Sequence, residues 1–284
     1  MVRLAALLLG ILLTTSAAAA TLDDVVCCED VTGEARERVE QIAAVQYLYD
    51  CCEDTVAACL AAPDPCPLSK RLAGQICRLV ESGRSDEEID RALKLRARSM
   101  MPSGPTATID LEGVPVMGAP EAPVVLVMYA CTRCPFCGLM ALELEKQVNG
   151  GDLDGKVRWY FKLFPLKGHR GSVESGLAAL AAHDQGKFWP FVHLAYERFG
   201  AFSVQKLEPW AAEVGLDMAA YQQTMNDPMT RERLVASKRE GIHYGVNATP
   251  TLFINGRRYV GELRTEAVLD ALLEEHERLT WKQP

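Results

Sequence analysis

Residues 122–137, with the sequence APVVLVMYACTRCPFC, carry the clearest structural pattern in the chain. Residues 122–130 form an apolar run of strand length, which is typical of a strand covered on both faces. Cys134 and Cys137 follow this run, and Pro135 between them suits the first turn of a helix. The pattern therefore predicts a buried strand followed by a helix that begins at the cysteine pair.

The cysteine pair has the spacing that thiol–disulfide exchange requires. The first N–H groups of a helix and its positive dipole end stabilise a thiolate at Cys134, and the neighbouring Arg133 favours the same form. Exchange needs one exposed thiolate to attack and a second thiol to resolve the mixed disulfide, so we expect Cys134 to attack and Cys137 to resolve. The alternatives are a structural disulfide and half of a zinc site. Zinc needs two further ligands, and no second C-x-x-C or H-x-x-x-H follows in the carboxyl-terminal part.

The rest of the carboxyl-terminal part alternates between strand and helix patterns. Residues 157–164 have the pattern of a second strand, and residues 172–244 that of a long helical stretch with breaks near three glycines, Gly186, Gly200 and Gly215. Two short strands, 251–254 and 257–260, flank Asn255-Gly256, a common two-residue hairpin turn. A last helix is predicted over 265–279.

Residues 249–256, TPTLFING, complete a resemblance to the DsbA family of the thioredoxin superfamily. Together with Cys-Pro-Phe-Cys on its strand, this segment resembles the family over residues 107–280, and residues 185–189, QGKFW, add to the likeness. The resemblance implies a thioredoxin-like α/β fold with a helical insertion, and thiol–disulfide exchange as the activity. It also implies a cis bond at Pro250 packed on the dithiol, and backbone groups of Thr249 that bind an incoming substrate chain. An ordinary trans Thr-Pro turn is the alternative.

One residue of the motif departs from the best-known DsbA proteins. Phe136 stands where those proteins have a histidine that stabilises the reduced thiolate and makes the protein strongly oxidising. Phenylalanine offers no such donor, so the redox direction stays open between oxidase, reductase and isomerase. The ring of Phe136 offers an apolar contact to a substrate or a partner.

Cys131 extends the motif to C-x-x-C-x-x-C. Three roles are open for it: a buried spare thiol, a regulatory or disulfide-forming thiol, and a ligand of a soft metal or cluster. His169 follows the second strand and is within reach of the site by position, but a surface histidine is the more common case. The other histidines lack metal-ligand spacing.

The amino-terminal part has the pattern of an exported, cysteine-rich helical module. Arg3, the apolar run from Leu4 to Leu13 and the small residues up to Ala20 predict a signal peptide over residues 1–20, cleaved near Ala20. Residues 21–100 hold seven of the ten cysteines on helical patterns, residues 101–106 have linker composition, and residues 107–284 form the DsbA-like domain. Ten cysteines behind a signal peptide indicate an oxidising compartment, which here is the periplasm.

The seven amino-terminal cysteines cannot all pair with one another, so at least one is free or pairs across domains. On a continuous helix, Cys52 and Cys59 would be about 10.5 Å apart, beyond disulfide reach, which predicts that they pair elsewhere. Residues 65–98 resemble the helical hairpin of the CcmH family of cytochrome c maturation, although the family's own C-x-x-C is not matched at Cys66. The module is either a disulfide-stapled accessory or a thiol module that passes electrons to Cys134.

These patterns predict an exported thiol–disulfide oxidoreductase that needs no cofactor and no metal, acting on cysteine-containing exported proteins with an unidentified redox partner. A periplasmic protein that handles copper or zinc and a non-catalytic peptide-binding module are the alternatives. The net charge of −8 argues against a nucleic-acid partner. Apart from the signal, no stretch is apolar enough to predict stable membrane insertion.

Overall fold

The computed structural model describes residues 20–101 and 106–281. Contacts between Cα atoms divide the chain into two compact units, residues 1–86 and 87–284. Almost all of the predicted signal peptide, and residues 102–105 of the predicted linker, lie outside the described residues. No helix in the described part of the chain is long and apolar enough to cross a membrane.

The first unit is helical and is held by disulfides. Its helices are α1 (Gly33–Val45), α2 (Val56–Leu60) and α3 (Pro67–Glu81). The apolar stripe of α3 is buried, as its spacing predicts. Three disulfides join Cys28 to Cys77, Cys51 to Cys66 and Cys52 to Cys59, while Cys27 remains free and exposed. A free seventh thiol agrees with the odd cysteine count.

The prediction that Cys52 and Cys59 are too far apart to pair was wrong. It assumed one continuous helix through both residues, but α2 begins only at Val56. Cys51 has a positive φ of 56°, and the chain before α2 is irregular. The chain therefore folds back, and the two Cα atoms lie 6.2 Å apart, within the range for a disulfide.

The second unit alternates strands and helices. Within this unit, Arg96 of helix α4 (Asp86–Met100) pairs with Asp270 and Glu274. The composition of the sequence predicted that α4 belongs to the amino-terminal module. In the structure, the chain from Glu87 onward belongs to the second unit. Segment 65–98 forms parts of α3 and α4, and its likeness to CcmH stays a prediction. The elements that follow are β1 (Val116–Met117), β2 (Val124–Ala130), α5 (Pro135–Val148), β3 (Val157–Leu163), α6 (Ser172–Asp184), α7 (Phe188–Glu197), α8 (Leu207–Glu213), α9 (Met218–Asn226), α10 (Pro228–His243), β4 (Thr251–Ile254), β5 (Arg257–Arg258) and α11 (Thr265–Thr280).

The sheet has five strands in the order β1-β3-β2-β4-β5. The central strands β2 and β3 are parallel, and the other pairs are antiparallel. Strand β2 is buried along almost its whole length, which confirms the assignment made from its apolar run. Strand β1 was not predicted, because two residues are too few to show the alternation of apolar and polar side chains that marks a strand. This thioredoxin-like arrangement of sheet and helices confirms the predicted fold class.

The pairing of β2 with β4 decides where Thr249 lies. Thr251 pairs with Tyr129 in antiparallel register. The residues just before Thr251 therefore run beside those just after Tyr129, which lead to the cysteine pair. Asn255 and Gly256 both have positive φ, as a two-residue hairpin turn requires, and the Asn255 side chain accepts a hydrogen bond from the Val125 N–H.

The helical insertion consists of α6 to α10, between β3 and β4. It is anchored on β3 by aromatic packing: the rings of Trp159 and Trp189 lie 4.5 Å apart, and those of Phe161 and Phe188 lie 5.3 Å apart. Both partners on the insertion belong to the segment around QGKFW. This part of the resemblance therefore corresponds to a packing contact that fixes the insertion on the sheet.

Candidate active site

Cys134 is the N-cap residue of α5, as the sequence predicts. Its sulfur accepts a hydrogen bond from the Cys137 N–H at 3.5 Å, and Pro135 occupies the first turn of the helix. The sulfur also lies 3.3 Å from the Thr249 carbonyl oxygen, to which the thiol form donates. The start of α5 and the end of the loop before β4 thus meet at this one sulfur.

Hydrogen bonds that the sulfur accepts lower the pKa of Cys134 to about 5. The largest contribution is a hydrogen bond with the Cys137 side chain, and the Cys137 N–H, Thr249 and the Phe136 N–H add to it, while burial acts in the opposite direction. A thiol with this pKa is mostly thiolate at neutral pH. The donors that stabilise this thiolate are helix N–H groups and the second thiol, so no histidine is needed at position 136.

Cys137 has the opposite character. It is fully buried, and burial raises its pKa far above the ordinary range. The charge on Cys134 raises it further. The surroundings of the two sulfurs thus favour the thiolate form of Cys134 and the thiol form of Cys137, and neither cysteine is in a disulfide.

The exposure of Cys134 differs from the sequence expectation of an exposed thiol. Only 2% of its surface is accessible, because the sulfur is turned towards the Cys137 N–H and the Thr249 carbonyl. Two apolar side chains of the same helix, Phe136 and Leu139, are each 69% exposed. An apolar surface thus lies directly beside a covered sulfur.

Pro250 follows a cis peptide bond, as the resemblance predicts. The side chain of its neighbour Thr249 is one of the groups that lower the pKa of Cys134. The Thr249 carbonyl is engaged by Cys134, as described above. The structure therefore brings Thr249, Cys134 and Cys137 together.

The structure does not give Arg133 the role that the sequence suggested. Its guanidinium lies 3.7 Å from the ring centre of Phe202 and 4.3 Å from that of Phe199. It also donates a hydrogen bond to the Phe199 carbonyl. The main causes of the low pKa of Cys134 are hydrogen bonds, and Arg133 is not among them. Cation–π contact holds this side chain on the helical insertion instead.

Tyr196 and Gly138, which pack against each other next to the cysteines, were not identified from the sequence. The Tyr196 hydroxyl donates a hydrogen bond to the Cys131 carbonyl, and its ring packs against Gly138. A Cβ atom at Gly138 would lie 2.9 Å from that ring. The glycine directly after the second cysteine was the available signal, because close packing under a helix start often requires glycine.

Cys131 is buried at the end of β2, and its sulfur lies 3.3 Å from Nδ1 of His169. The sequence favoured a surface position for His169. The order of the strands could have predicted this contact. Cys131 and His169 follow neighbouring parallel strands, whose carboxyl ends lie at the same edge of the sheet. No group of three or more His, Cys, Asp or Glu side chains within residues 20–101 and 106–281 is arranged to hold a metal ion.

The fold and the cysteine pair define a protein of the thioredoxin fold with a dithiol at a helix start. Among solved structures, the thioredoxin-like oxidoreductase from Silicibacter pomeroyi DSS-3 is 28% identical, with a TM-score of 0.50, and the match covers 58% of this chain and 94% of that one. BdbD from Bacillus subtilis is 18% identical, with a TM-score of 0.53, over 61% of this chain and 97% of that one. Wolbachia pipientis alpha-DsbA1 is 19% identical, with a TM-score of 0.52, over 60% and 94%.

The curated relatives are much longer proteins. The Na(+)/H(+) antiporter NhaA of Herminiimonas arsenicoxydans is 30% identical over 176 residues, which are 62% of this chain and 27% of that protein. NhaA 1 of Mycolicibacterium gilvum is 29% identical over 168 residues, or 58% and 27%. The chain thus spans about a quarter of the length of these relatives.

Residues 110–275 match the family model described as Thioredoxin, and the chain belongs to that family. In this member of the family, Cys134 at the start of α5 and Cys137 one turn later form a pair of adjacent free thiols.

Proposed function

We propose that this protein exchanges disulfides with the cysteines of other exported proteins, with Cys134 as the attacking thiol and Cys137 as the resolving thiol. The single observation that carries the proposal is the placement of the two sulfurs: Cys134 caps the start of α5 and accepts the Cys137 N–H at 3.5 Å, while Cys137 is fully buried one turn later. A thiolate attacks faster than a thiol, and a buried protonated thiol waits until the mixed disulfide has formed.

In the reducing direction, the Cys134 thiolate attacks one sulfur of a substrate disulfide, and the other substrate sulfur leaves as a thiolate. Cys137 then loses its proton and attacks the Cys134 sulfur. The second substrate thiolate leaves, and a Cys134–Cys137 disulfide forms. Oxidation of a substrate dithiol is the same sequence in reverse. Either direction leaves the dithiol in the wrong state for the next turnover, so a redox partner must reset it.

The oxidising direction is the one that the low pKa of Cys134 supports. Stabilising the thiolate stabilises the reduced protein, and a protein whose reduced form is stable takes electrons from its substrates. Hydrogen bonds from Cys137 and from the start of α5 perform this stabilisation. Phe136 at the position of the DsbA histidine is therefore compatible with an oxidase.

Phe136, Leu139 and Thr249 are the groups proposed to bind the substrate chain. Phe136 and Leu139 offer an exposed apolar surface next to the sulfur. The Thr249 carbonyl is already directed at Cys134, so a substrate cysteine that reaches Cys134 lies beside the backbone of Thr249. Contacts to backbone and to an apolar patch do not select a particular sequence, which suits an enzyme with many protein substrates.

Export to the periplasm is part of the proposal. It is supported by the signal-like residues 1–20 and by three disulfides in the first unit, since disulfides persist in oxidising compartments. Cell fractionation, with the mass of the mature amino terminus, tests it. Intact protein retained in the cytoplasm would contradict it.

The activity is tested with a peptide dimer linked by one disulfide. The reduced protein should release one peptide in a rapid first phase and become covalently linked to the other. Cys134→Ser should abolish this phase, whereas Cys137→Ser should keep it, because only the attacking thiol is needed. A Cys134→Ser variant that reacts as fast as the parent would overturn the assignment.

A further inference from the structure

A tight turn brings the backbone of Cys131 close to that of Cys134. The Cys134 N–H donates a hydrogen bond to the Cys131 carbonyl at 2.9 Å, which closes a four-residue turn between β2 and α5. In such a turn the first and last Cα atoms are less than about 7 Å apart. Disulfides form at Cα separations of about 4.4–6.8 Å. Cys134 is therefore shared by two C-x-x-C pairs, one with Cys137 and one with Cys131.

Three polar groups surround the Cys131 sulfur. His169 Nδ1 lies 3.3 Å away, and the Arg133 N–H donates to the sulfur at 3.4 Å. The Leu166 N–H also stabilises the charged form, although burial keeps the pKa of Cys131 above its ordinary value. A thiol next to an imidazole nitrogen is the arrangement in which a base activates a nucleophile. A merely space-filling cysteine does not need these three polar partners.

We propose that Cys131 and His169 form a second resolving couple for Cys134, which closes a Cys131–Cys134 disulfide. This inference rests on the proposed exchange function and adds a third reacting thiol to the same site. In this proposal His169 acts as a general base, and Cys131 is a nucleophile rather than a spare thiol.

The step balances without any further reactant. In the mixed disulfide, His169 Nδ1 takes the proton from the Cys131 sulfur, and the resulting thiolate attacks the Cys134 sulfur. The bond between Cys134 and the substrate sulfur breaks, and the substrate leaves as a thiolate that recovers the proton from the imidazolium. Cys131 and Cys134 are oxidised by two electrons in total, and the substrate disulfide is reduced by two. His169 needs a free lone pair on Nδ1, with its hydrogen on Nε2.

The test follows the peptide dimer in a Cys27→Ser background, which removes the exposed free thiol. In Cys137→Ser, the first peptide is released by Cys134, and the second should then be released by Cys131. Peptide mapping should find a Cys131–Cys134 disulfide at the end. In the matched Cys131→Ser/Cys137→Ser variant, the second release should be at least tenfold slower.

Replacing His169 tests the base. His169→Ala in the Cys137→Ser background should slow the second release by roughly 100-fold, the usual size of a general-base effect. His183→Ala is the matched control, because His183 bonds to the Gly113 carbonyl instead. The first release reports in every variant that the protein is folded and that Cys134 is competent.

The pH dependence separates a base from a structural residue. The ionisable groups that face Cys131 are His169, Cys134, Arg133 and Tyr196. If His169 takes the proton, its loss should matter less as the pH rises, because solvent then removes the proton from Cys131. An effect of equal size at every pH would overturn the role of His169.

The exchange function and the second resolving couple are refuted by different results. Absence of the first release in the parent would refute the exchange function itself. A normal first release with an equally slow second release in Cys137→Ser and in the double variant would refute the second resolving couple alone.

Discussion

Replacing Cys137 tests what holds Cys134 as a thiolate. The pKa of Cys134 falls from an ordinary 9.0 to about 5, and the largest cause is the hydrogen bond with the Cys137 side chain. A hydrogen bond to a charged group contributes about 1.5–3 kcal/mol, and about 1.4 kcal/mol corresponds to a tenfold change in acidity. Cys137→Ala should therefore make Cys134 a roughly ten- to hundredfold weaker acid.

Cys137→Ser is the matched control, because its hydroxyl replaces the thiol as donor. In this variant Cys134 should stay close to the acidity of the parent. The backbone N–H of residue 137 remains in both variants and supports the thiolate equally. The difference between the two variants thus isolates the side-chain hydrogen bond.

The assay is the rate of Cys134 alkylation against pH, with peptide mapping, in the Cys27→Ser background. Cys131 and Cys137 are buried and have raised pKa values, so they should react only at higher pH. Two results would refute the reasoning: equal acidity of Cys134 in the alanine and serine variants, or a parent in which Cys131 or Cys137 is alkylated first.

Three further predictions follow from the same site. First, the thiolate stabilises reduced protein by roughly 3 kcal/mol at pH 7, which raises the reduction potential by about 60 mV over a dithiol with ordinary thiols. Because the pKa of Cys134 is lowered on folding, this stabilisation is complete above 9.0 and is lost as the pH falls towards about 5. Equilibration with glutathione buffers measures it, and a potential as low as about −270 mV would contradict it. Second, Gly138→Ala places a Cβ 2.9 Å from the Tyr196 ring and should destabilise the protein by about 1–3 kcal/mol in urea unfolding. Gly168→Ala, which meets nothing within 4 Å, is the control, and equal stability of the two variants would disprove the packing argument. Third, Phe136→Ser should slow exchange with unfolded protein substrates but leave exchange with glutathione unchanged, with stability within about 0.5 kcal/mol of the parent. Met229→Ser, another exposed apolar residue, is the control, and an equal loss with both substrates would show that Phe136 shapes the dithiol itself.

Much of the site could be predicted from the sequence, because the patterns that indicate it involve residues close together in the chain. The apolar run before Cys134 predicted β2, and Pro135 with the two cysteines predicted the start of α5, since both depend on residues next to each other in sequence. The hairpin at Asn255-Gly256 was equally local. The cis bond at Pro250 came from the resemblance to DsbA proteins, and its geometry is as that resemblance implies.

The predictions that failed had assumed that residues close in sequence share one regular element or stay in contact. Cys52 and Cys59 were placed on one helix, and the irregular chain before α2 brought them together instead. Arg133 was placed by its position next to Cys134, but a long side chain can turn away from its neighbour. Its guanidinium found two aromatic rings in the helical insertion, about 66 residues later in the chain.

The strand, the helix start and the pair of cysteines follow from the sequence alone, because hydrophobic period, proline geometry and spacing act over a few residues. The groups around each sulfur depend on the folded chain. The antiparallel register of β2 and β4 brings Thr249 to Cys134, the shared edge of β2 and β3 brings His169 to Cys131, and the insertion places Tyr196 beneath them. Burial within the fold raises the pKa of Cys131 and of Cys137, whereas the low pKa of Cys134 comes mainly from Cys137 and Phe136 of its own motif, with Thr249 as the distant contributor.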